Sequence, residues 1–277
     1  MEQDLEAINA KWDQYSHAID RLAERVADPD DFPVLPGSSL AGDDREAHPF
    51  EVSQAIRHIL NVTIDQLHGV KVAVRDSQVQ HLGVSTTLAR AALENGATGL
   101  WILGPSNRNE RIERVLRWHS RNYQDLSNFL ETIRSGNPTL GTSAIDGLAQ
   151  IREVAERRGI DPKVAANGYP VTRPISGGGQ FTELPVFSDW QIASGFAHGR
   201  PWAHQGFLHR ERIDSGTTGH HVFRMSPRDD MTIYFPLQAL HLLGELLRLR
   251  DRRAGLPMLP RPDGLPDSEP RQAQSSR

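Results

Sequence analysis

The sequence predicts a mostly α-helical, bundle-like single domain with a small β-hairpin insertion and a disordered C-terminal tail. Three observations indicate this fold class. Apolar residues recur at every third or fourth position along most of the chain, as they do on one face of an α-helix. Two short segments flank the turn-like sequence Asp-Ser-Gly-Thr-Thr-Gly at 214–219, which favours a hairpin. The last residues are rich in proline and polar side chains and have little apolar surface to bury.

The N-terminal part of the chain predicts one amphipathic helix followed by an exposed connection. Apolar residues lie three or four apart across 2–27, so residues 1–33 are assigned to an N-terminal amphipathic helix whose apolar side must be covered. Several prolines and the sequence Pro-Gly-Ser-Ser follow, and residues 34–49 are therefore predicted to form a linker.

Residues 50–254 are predicted to form the helical domain, and the disordered tail is assigned to 255–277. Within this domain helical periodicity continues, interrupted by one segment rich in glycine, proline and asparagine that predicts irregular structure and by a hairpin near 207–226. The predicted helices are 50–74, 82–103, 107–134, 144–158 and 231–253; the irregular segment is 159–180; the predicted strands are 207–213 and 220–226.

Composition restricts the function classes. The chain has 277 residues, of which 38% are hydrophobic and 24% charged, as in an ordinary globular protein. It has no apolar run of about 20 residues and no signal-peptide pattern, so a cytoplasmic location without membrane contact is expected. The absence of cysteine excludes disulfides and thiol chemistry. A net charge of −4 argues against a protein that is basic overall and wraps nucleic acid.

Metal and cofactor motifs are absent from the sequence. The histidines at 198, 204, 209, 220 and 221 lack a recognised ligand spacing, and no His-Glu-x-x-His occurs. The glycines at 177–179 lack the context of a phosphate-binding motif, so a flexible loop is predicted there. The basic run 248–253 has no interleaved aromatic residues and predicts a solvated helix end. No metal and no cofactor is therefore expected.

The helix predicted over 82–103 is apolar on nearly all sides yet carries Arg90, Glu94 and Thr98 on one face. A helix of this composition is normally buried, and buried charges are costly without partners. Because Arg90 precedes Glu94, the order is the less favourable one for an isolated helical pair, which favours a tertiary role. Small residues at 92, 96 and 99 form a groove beside this face that would let another helix approach closely.

Ser194 and His198 are the predicted partners of that face, because they lie four residues apart on one helical side about a hundred residues later. With Arg90 and Glu94 they would provide a hydroxyl, an imidazole, a guanidinium and a carboxylate, a set sufficient for acid-base chemistry on a phosphate. The alternative is a structural ion pair and a satisfied core histidine. The sequence leaves both interpretations open.

Three segments carry a resemblance to known proteins. The sequences of 88–101, 111–117 and 194–199 resemble a group of uncharacterised helical actinobacterial proteins, which implies no activity. More distantly, the layout of 50–250 is similar to HEPN-type helical domains, in which an Arg and a His on one helix serve metal-independent RNA cleavage in dimers. The formal match to that motif is Arg114 and His119.

This match has unfavourable geometry. His119 lies on the apolar stripe of its predicted helix, and Arg114 projects about 140° away on the basic face. The residue after Arg114 is Val115, where the family commonly has a polar side chain. His119 is therefore predicted to be a core histidine.

Two function classes follow. The first is a non-enzymatic association or structural module with a buried polar site, which forms a homodimer or binds a protein partner through its first helix and the basic face of 107–134. The second is a HEPN-like, metal-independent enzyme acting on RNA or a nucleotide, with Arg90, Glu94, Ser194 and His198 as its catalytic residues. A solvent-open pocket where the four side chains converge would favour the enzyme, and a closed network would favour the module.

Overall fold

The computed structural model describes residues 2–79, 81–133, 138–214, 216–217 and 220–257. Over these ranges it consists of eleven α-helices and one two-stranded antiparallel sheet, which confirms the predicted fold class. The helices are α1 (Glu2–Ala27), α2 (Ser39–Ala47), α3 (Val52–Lys71), α4 (Val84–Leu103), α5 (Arg108–Thr132), α6 (Pro138–Arg157), α7 (Pro162–Ala165), α8 (Thr172–Gly178), α9 (Val186–Ala197), α10 (Pro201–Phe207) and α11 (Asp229–Arg253), and the strands are β1 (His209–Asp214) and β2 (His221–Ser226). From residue 258 onward the predicted disordered tail lies outside the described residues.

Helix α4 is the central element, as its apolar composition predicts. It packs against α3, α11, α8 and α9, and most of its side chains are buried. The predicted groove of small residues is occupied by α11: a Cβ added at Gly96 would lie 3.1 Å from Leu242, and one added at Gly99 would lie 2.5 Å from Leu246. The two glycines therefore allow close contact between α4 and α11.

The prediction of an exposed linker over 34–49 is wrong for most of its length, because α2 lies within it. Ser38 caps this helix by accepting a hydrogen bond from the backbone N–H of Ala41 at 3.1 Å. Leu40, Asp43 and Ala47 are fully buried. The turn-forming residues of this segment therefore lie before the cap residue Ser38, and the short helix that follows packs into the core.

The segment 159–180 is also more regular than predicted, since it contains α7 and α8. The three glycines belong to the end of α8 and the 3-10 turn that follows it. A Cβ at Gly177 would lie 2.6 Å from the Trp101 ring, and one at Gly178 would overlap the carbonyl of Ala97. These glycines permit close packing of α8 on α4, so the predicted flexible loop is wrong.

Parts of the surfaces predicted to bind a partner are internal. On α5, Arg111 and Arg117 are buried, and on α1 the apolar side chains of Trp12, Tyr15 and Ile19 belong to the main core. The Tyr15 hydroxyl donates to the carbonyl of Leu67 at 2.7 Å. The first helix and the basic face of 107–134 are therefore needed by the fold itself.

The hairpin is confirmed close to its predicted position. Strands β1 and β2 pair antiparallel with Arg212 opposite Phe223 and Ile213 opposite Val222. Met225 packs on a small apolar cluster of Phe196, Ala203 and Leu208, which joins the hairpin to α9 and α10. In the ranges that the structure covers, no helix is both long enough and apolar enough to cross a membrane.

Candidate functional site

Three of the four predicted site residues meet between α4 and α9. The guanidinium of Arg90 donates from Nε to Ser194 Oγ at 3.0 Å, and its Nη2 lies 3.0 Å from Glu94 Oε2. Arg90 and Glu94 share one face of α4, and Ser194 lies on α9. The predicted approach of the two segments is therefore present, with Arg90 as its centre.

Trp190 completes this group, which we call the α4–α9 polar link: Arg90, Glu94, Trp190 and Ser194. The indole Nε1 of Trp190 donates to Glu94 Oε2 at 3.1 Å, and the guanidinium carbon of Arg90 lies 5.5 Å from the centroid of the Trp190 ring. A cation over an indole face gains electrostatic energy. Sequence reasoning missed Trp190, although its position four residues before Ser194 places it on the same helical side.

His198 does not join the link. It caps the C-terminus of α9, its side chain is exposed, and its backbone N–H donates to the carbonyl of Ser194 at 3.0 Å. Among the described residues its ring forms no hydrogen bond or ion pair with Glu94 or Ser194. The site therefore lacks the imidazole that His198 was expected to provide, although the carboxylate, the guanidinium and the hydroxyl converge.

The link lies at the edge of the core. The side chains of Arg90 and Glu94 are 25% and 28% exposed, so both charges keep part of their hydration. Thr98 is buried, but its hydroxyl donates to the backbone carbonyl of Glu94 at 2.8 Å instead of to the charged groups. The arrangement is a directly bonded network that is not sealed from water.

A second polar contact anchors the same helix to α11. Asp189 lies in the first turn of α9 and is buried, and the Tyr234 hydroxyl donates to its Oδ1 at 3.2 Å. Burial raises the pKa of the Asp189 carboxyl, and the Tyr234 hydrogen bond opposes this effect. Helix α9 is therefore held by polar side chains on two sides, to α4 and to α11.

Arg114 and His119, the formal HEPN match, have different surroundings. Arg114 donates to the carbonyl of Trp101 and pairs with Glu110. The ring of His119 lies 4.9 Å from those of Phe50 and Trp118, and burial lowers its pKa to about 4. His119 packs against aromatic rings with its Nε2 buried, as the core prediction implies, and the two side chains form no common site.

The most deeply buried charges lie at the C-terminus of α4. Asp43 of α2 accepts from Arg111 at 2.6 and 2.7 Å and from Arg108 at 2.9 Å. Arg111 also donates to the carbonyls of Pro105 and Ser106, and Arg253 donates to that of Leu103 at 2.7 Å. Burial, together with the nearby Arg111 charge, lowers the pKa of Arg253 to about 10. These cations satisfy the free carbonyls of a helix end.

The basic run 248–253 is accordingly not the solvated helix end that its composition predicts. Arg250 is buried and donates to the carbonyls of Phe32 and Pro33, and Arg253 reaches the end of α4. Both guanidinium groups bind main-chain oxygen atoms of the protein. These two arginines could bind an RNA phosphate only if their hydrogen bonds to the main chain were broken.

A cavity of about 550 Å³ lies beside the turn at residues 29–34. Arg57 borders it and donates to the carbonyls of Val26, Asp28 and Asp31. The ring of Phe32, whose φ is +62°, is contacted by the guanidinium groups of Arg25, Arg57 and Arg250 at 4.5 to 5.4 Å. The cations around this cavity hold the turn, and none of the four predicted site residues borders it.

Comparison with protein-family models, with curated proteins and with solved structures gives no match to this chain. The resemblance to actinobacterial helical proteins and to HEPN domains therefore stays a prediction. In the described ranges no cluster of three or more His, Asp or Glu side chains has the geometry to hold a metal ion.

Proposed function

We propose that this protein is a non-enzymatic association module in which the α4–α9 polar link is structural. The observation that carries the proposal is that Arg90, Glu94, Trp190 and Ser194 bind one another directly, while His198 lies outside the group. Acid-base catalysis needs a proton donor and acceptor aimed at a substrate position. Here the polar atoms are aimed at each other.

The position of the link supports this role. It ties α9 to the central helix, and α9 leads directly into α10 and the hairpin. Asp189 and Tyr234 hold the same helix from the other side. The link therefore helps to position α10 and the exposed hairpin on the core, which is what an association module requires of its scaffold.

A double-mutant cycle on Arg90→Met and Glu94→Gln tests the structural role. We expect a coupling of about 1 to 2 kcal/mol in urea unfolding, because the pair is three-quarters buried and shares Trp190 and Ser194 as partners. The matched control is Arg121 and Asp125, another pair four residues apart, with side chains 49% and 55% exposed and a distance of 2.9 Å. Its coupling should stay below about 0.5 kcal/mol. Equal couplings in the two cycles would contradict a structural link.

A turnover assay tests the enzymatic alternative. Purified protein incubated with RNA and with nucleotides, without added metal, is expected to give product no faster than the His198→Ala and Arg90→Met variants. The reason is that the imidazole has no contact with the carboxylate it would need. Metal-independent cleavage that disappears in His198→Ala at an unchanged melting temperature would overturn the proposed function.

A further inference from the structure

The hairpin presents unprotected strand edges. Ten of the twelve residues of β1 and β2 are exposed, and the sheet has two strands. Over the described residues, the backbone groups of β2 form no main-chain hydrogen bonds except those to β1. A two-stranded sheet is marginally stable in water, and a free edge is a template for another strand. The chemistry that fits this surface is therefore an extended chain with free N–H and C=O groups.

The two edges of the hairpin differ in protection. Strand β1 carries Arg210, Glu211, Arg212 and Asp214, and charged side chains are a common means of keeping edges apart. Strand β2 carries Val222, Phe223 and Met225 with a single charge, Arg224. Val222 and Phe223 are 48% and 40% exposed, which is high for apolar side chains in regular structure. The apolar edge is thus the one available for pairing.

Strand β2 is complementary to itself. Two identical antiparallel strands side by side are related by a two-fold axis perpendicular to the sheet, so one residue must lie opposite its own copy. With Phe223 at this centre, each Val222 lies opposite an Arg224 and each His221 opposite a Met225. Aromatic pairs stabilise such ladders and directly opposed like charges destabilise them. This register has an aromatic pair and no opposed like charges.

Strand β1 lacks such a register over most of its length, because the register centred on Ile213 covers only Arg212 to Asp214 of the strand. Centring it on Arg210 or Arg212 places two guanidinium groups opposite each other, and centring it on Glu211 opposes two carboxylates and two pairs of arginines. On β2, centring on Arg224 has the same defect. The register on Phe223 is the one that spans most of a strand without such a clash.

We propose that β2 is a self-association edge, through which a second copy of this chain pairs antiparallel with Phe223 opposite its own copy. The product is a four-stranded sheet in the order β1-β2-β2-β1. This inference rests on the proposed function and names its partner as the same chain. Each copy contributes a single six-residue strand, so the contact is small. The dimer Kd is therefore expected to be ~10 to 100 µM.

Sedimentation of the full chain from ~1 to ~300 µM tests this edge with three substitutions. Val222→Lys places two lysines opposite two arginines across the dyad and should raise the dimer Kd about tenfold. Val222→Glu places a carboxylate opposite each Arg224 instead. It should leave the dimer Kd within about threefold of the wild-type value or lower it. Ile213→Lys is the matched control, because Ile213 pairs with Val222 inside the hairpin but lies on the other edge.

Cysteine cross-linking tests the register independently, because the chain has no cysteine of its own. Phe223→Cys is expected to give a disulfide-linked dimer under mild oxidation, and Ile213→Cys is expected to stay a monomer under the same conditions. Circular dichroism confirms that each variant folds. A dimer that is unaffected by Val222→Lys and not trapped by Phe223→Cys would overturn this edge and leave the association function standing. A chain that stays monomeric throughout would overturn self-association through β2, whereas the turnover assay decides the proposed function separately.

Discussion

Asp43→Asn is expected to lower the free energy of unfolding by about 3 to 5 kcal/mol. Asp43 is fully buried and accepts hydrogen bonds from Arg108 and Arg111 at 2.6 to 2.9 Å. The substitution keeps the shape of the side chain but leaves the buried guanidinium of Arg111 without its countercharge. Removing one partner of such a pair is costly because the other charge cannot regain its hydration. Urea unfolding followed by circular dichroism measures the loss.

The neighbouring residue provides the control. Asp44 accepts from the backbone N–H of Ser53 at 2.8 Å and has no ion-pair partner within the part of the chain that the structure covers. Burial raises the pKa of its carboxyl, and the Ser53 hydrogen bonds oppose that effect. The neutral side chain of Asp44→Asn should therefore cost less than about 1 kcal/mol. Similar losses at 43 and 44 would show that the buried ion pair contributes no specific stability.

Acidification from pH 7 to pH 4 is expected to remove roughly 2 to 4 kcal/mol of stability through His119 alone. Burial lowers the pKa of this histidine from 6.5 to about 4 in the folded protein, opposed by Glu51 and assisted by His58. Its buried Nε2 has no hydrogen-bond partner among the described residues. Between these two pKa values the unfolded chain binds the proton and the folded chain does not. Stability is therefore fully present above pH 6.5 and is lost as the pH falls toward 4.

The measurement is urea unfolding at several pH values between 4 and 7.5 for the wild type and His119→Leu. Carboxylates elsewhere titrate in both proteins, so the difference between the two curves isolates His119. It should change by roughly 2 to 4 kcal/mol across this range. Parallel curves for wild type and His119→Leu would exclude a buried neutral histidine.

Helices and hairpin could be predicted because each signal is local. The period of apolar residues gives the helices, and the turn sequence between two short segments gives the strands within one or two residues. The central helix follows from the same logic, since the segment 82–103 is apolar on nearly all sides and must be covered. The meeting of Arg90 and Ser194 is a further success, because buried polar faces on two helices need each other.

The failures concern residues whose role depends on distant partners. Composition assigns Arg111, Arg250 and Arg253 to solvent, yet they bind carbonyl groups that are free only where a helix or turn ends nearby in space. Helix α2 is short. Its Asp43 can be buried because it pairs with Arg111, which lies 68 residues later in the sequence. The glycines of α8 have the composition of a loop, but they mark where α8 meets α4. None of these partners is visible in a local window.

The arginine contacts with main-chain carbonyls depend on the geometry of the guanidinium group and not only on its positive charge. Of its 31 basic residues, the lysines are Lys11, Lys71 and Lys163, and all others are arginine. Arg57, Arg111, Arg250 and Arg253 each donate to two or more carbonyls, which requires a planar group with several fixed donors. A chain with lysine at these four positions would keep the net charge of −4 and its isoelectric behaviour while losing the bonds that hold its helix ends. Amine-directed modification, in contrast, would reach three side chains that carry none of these contacts.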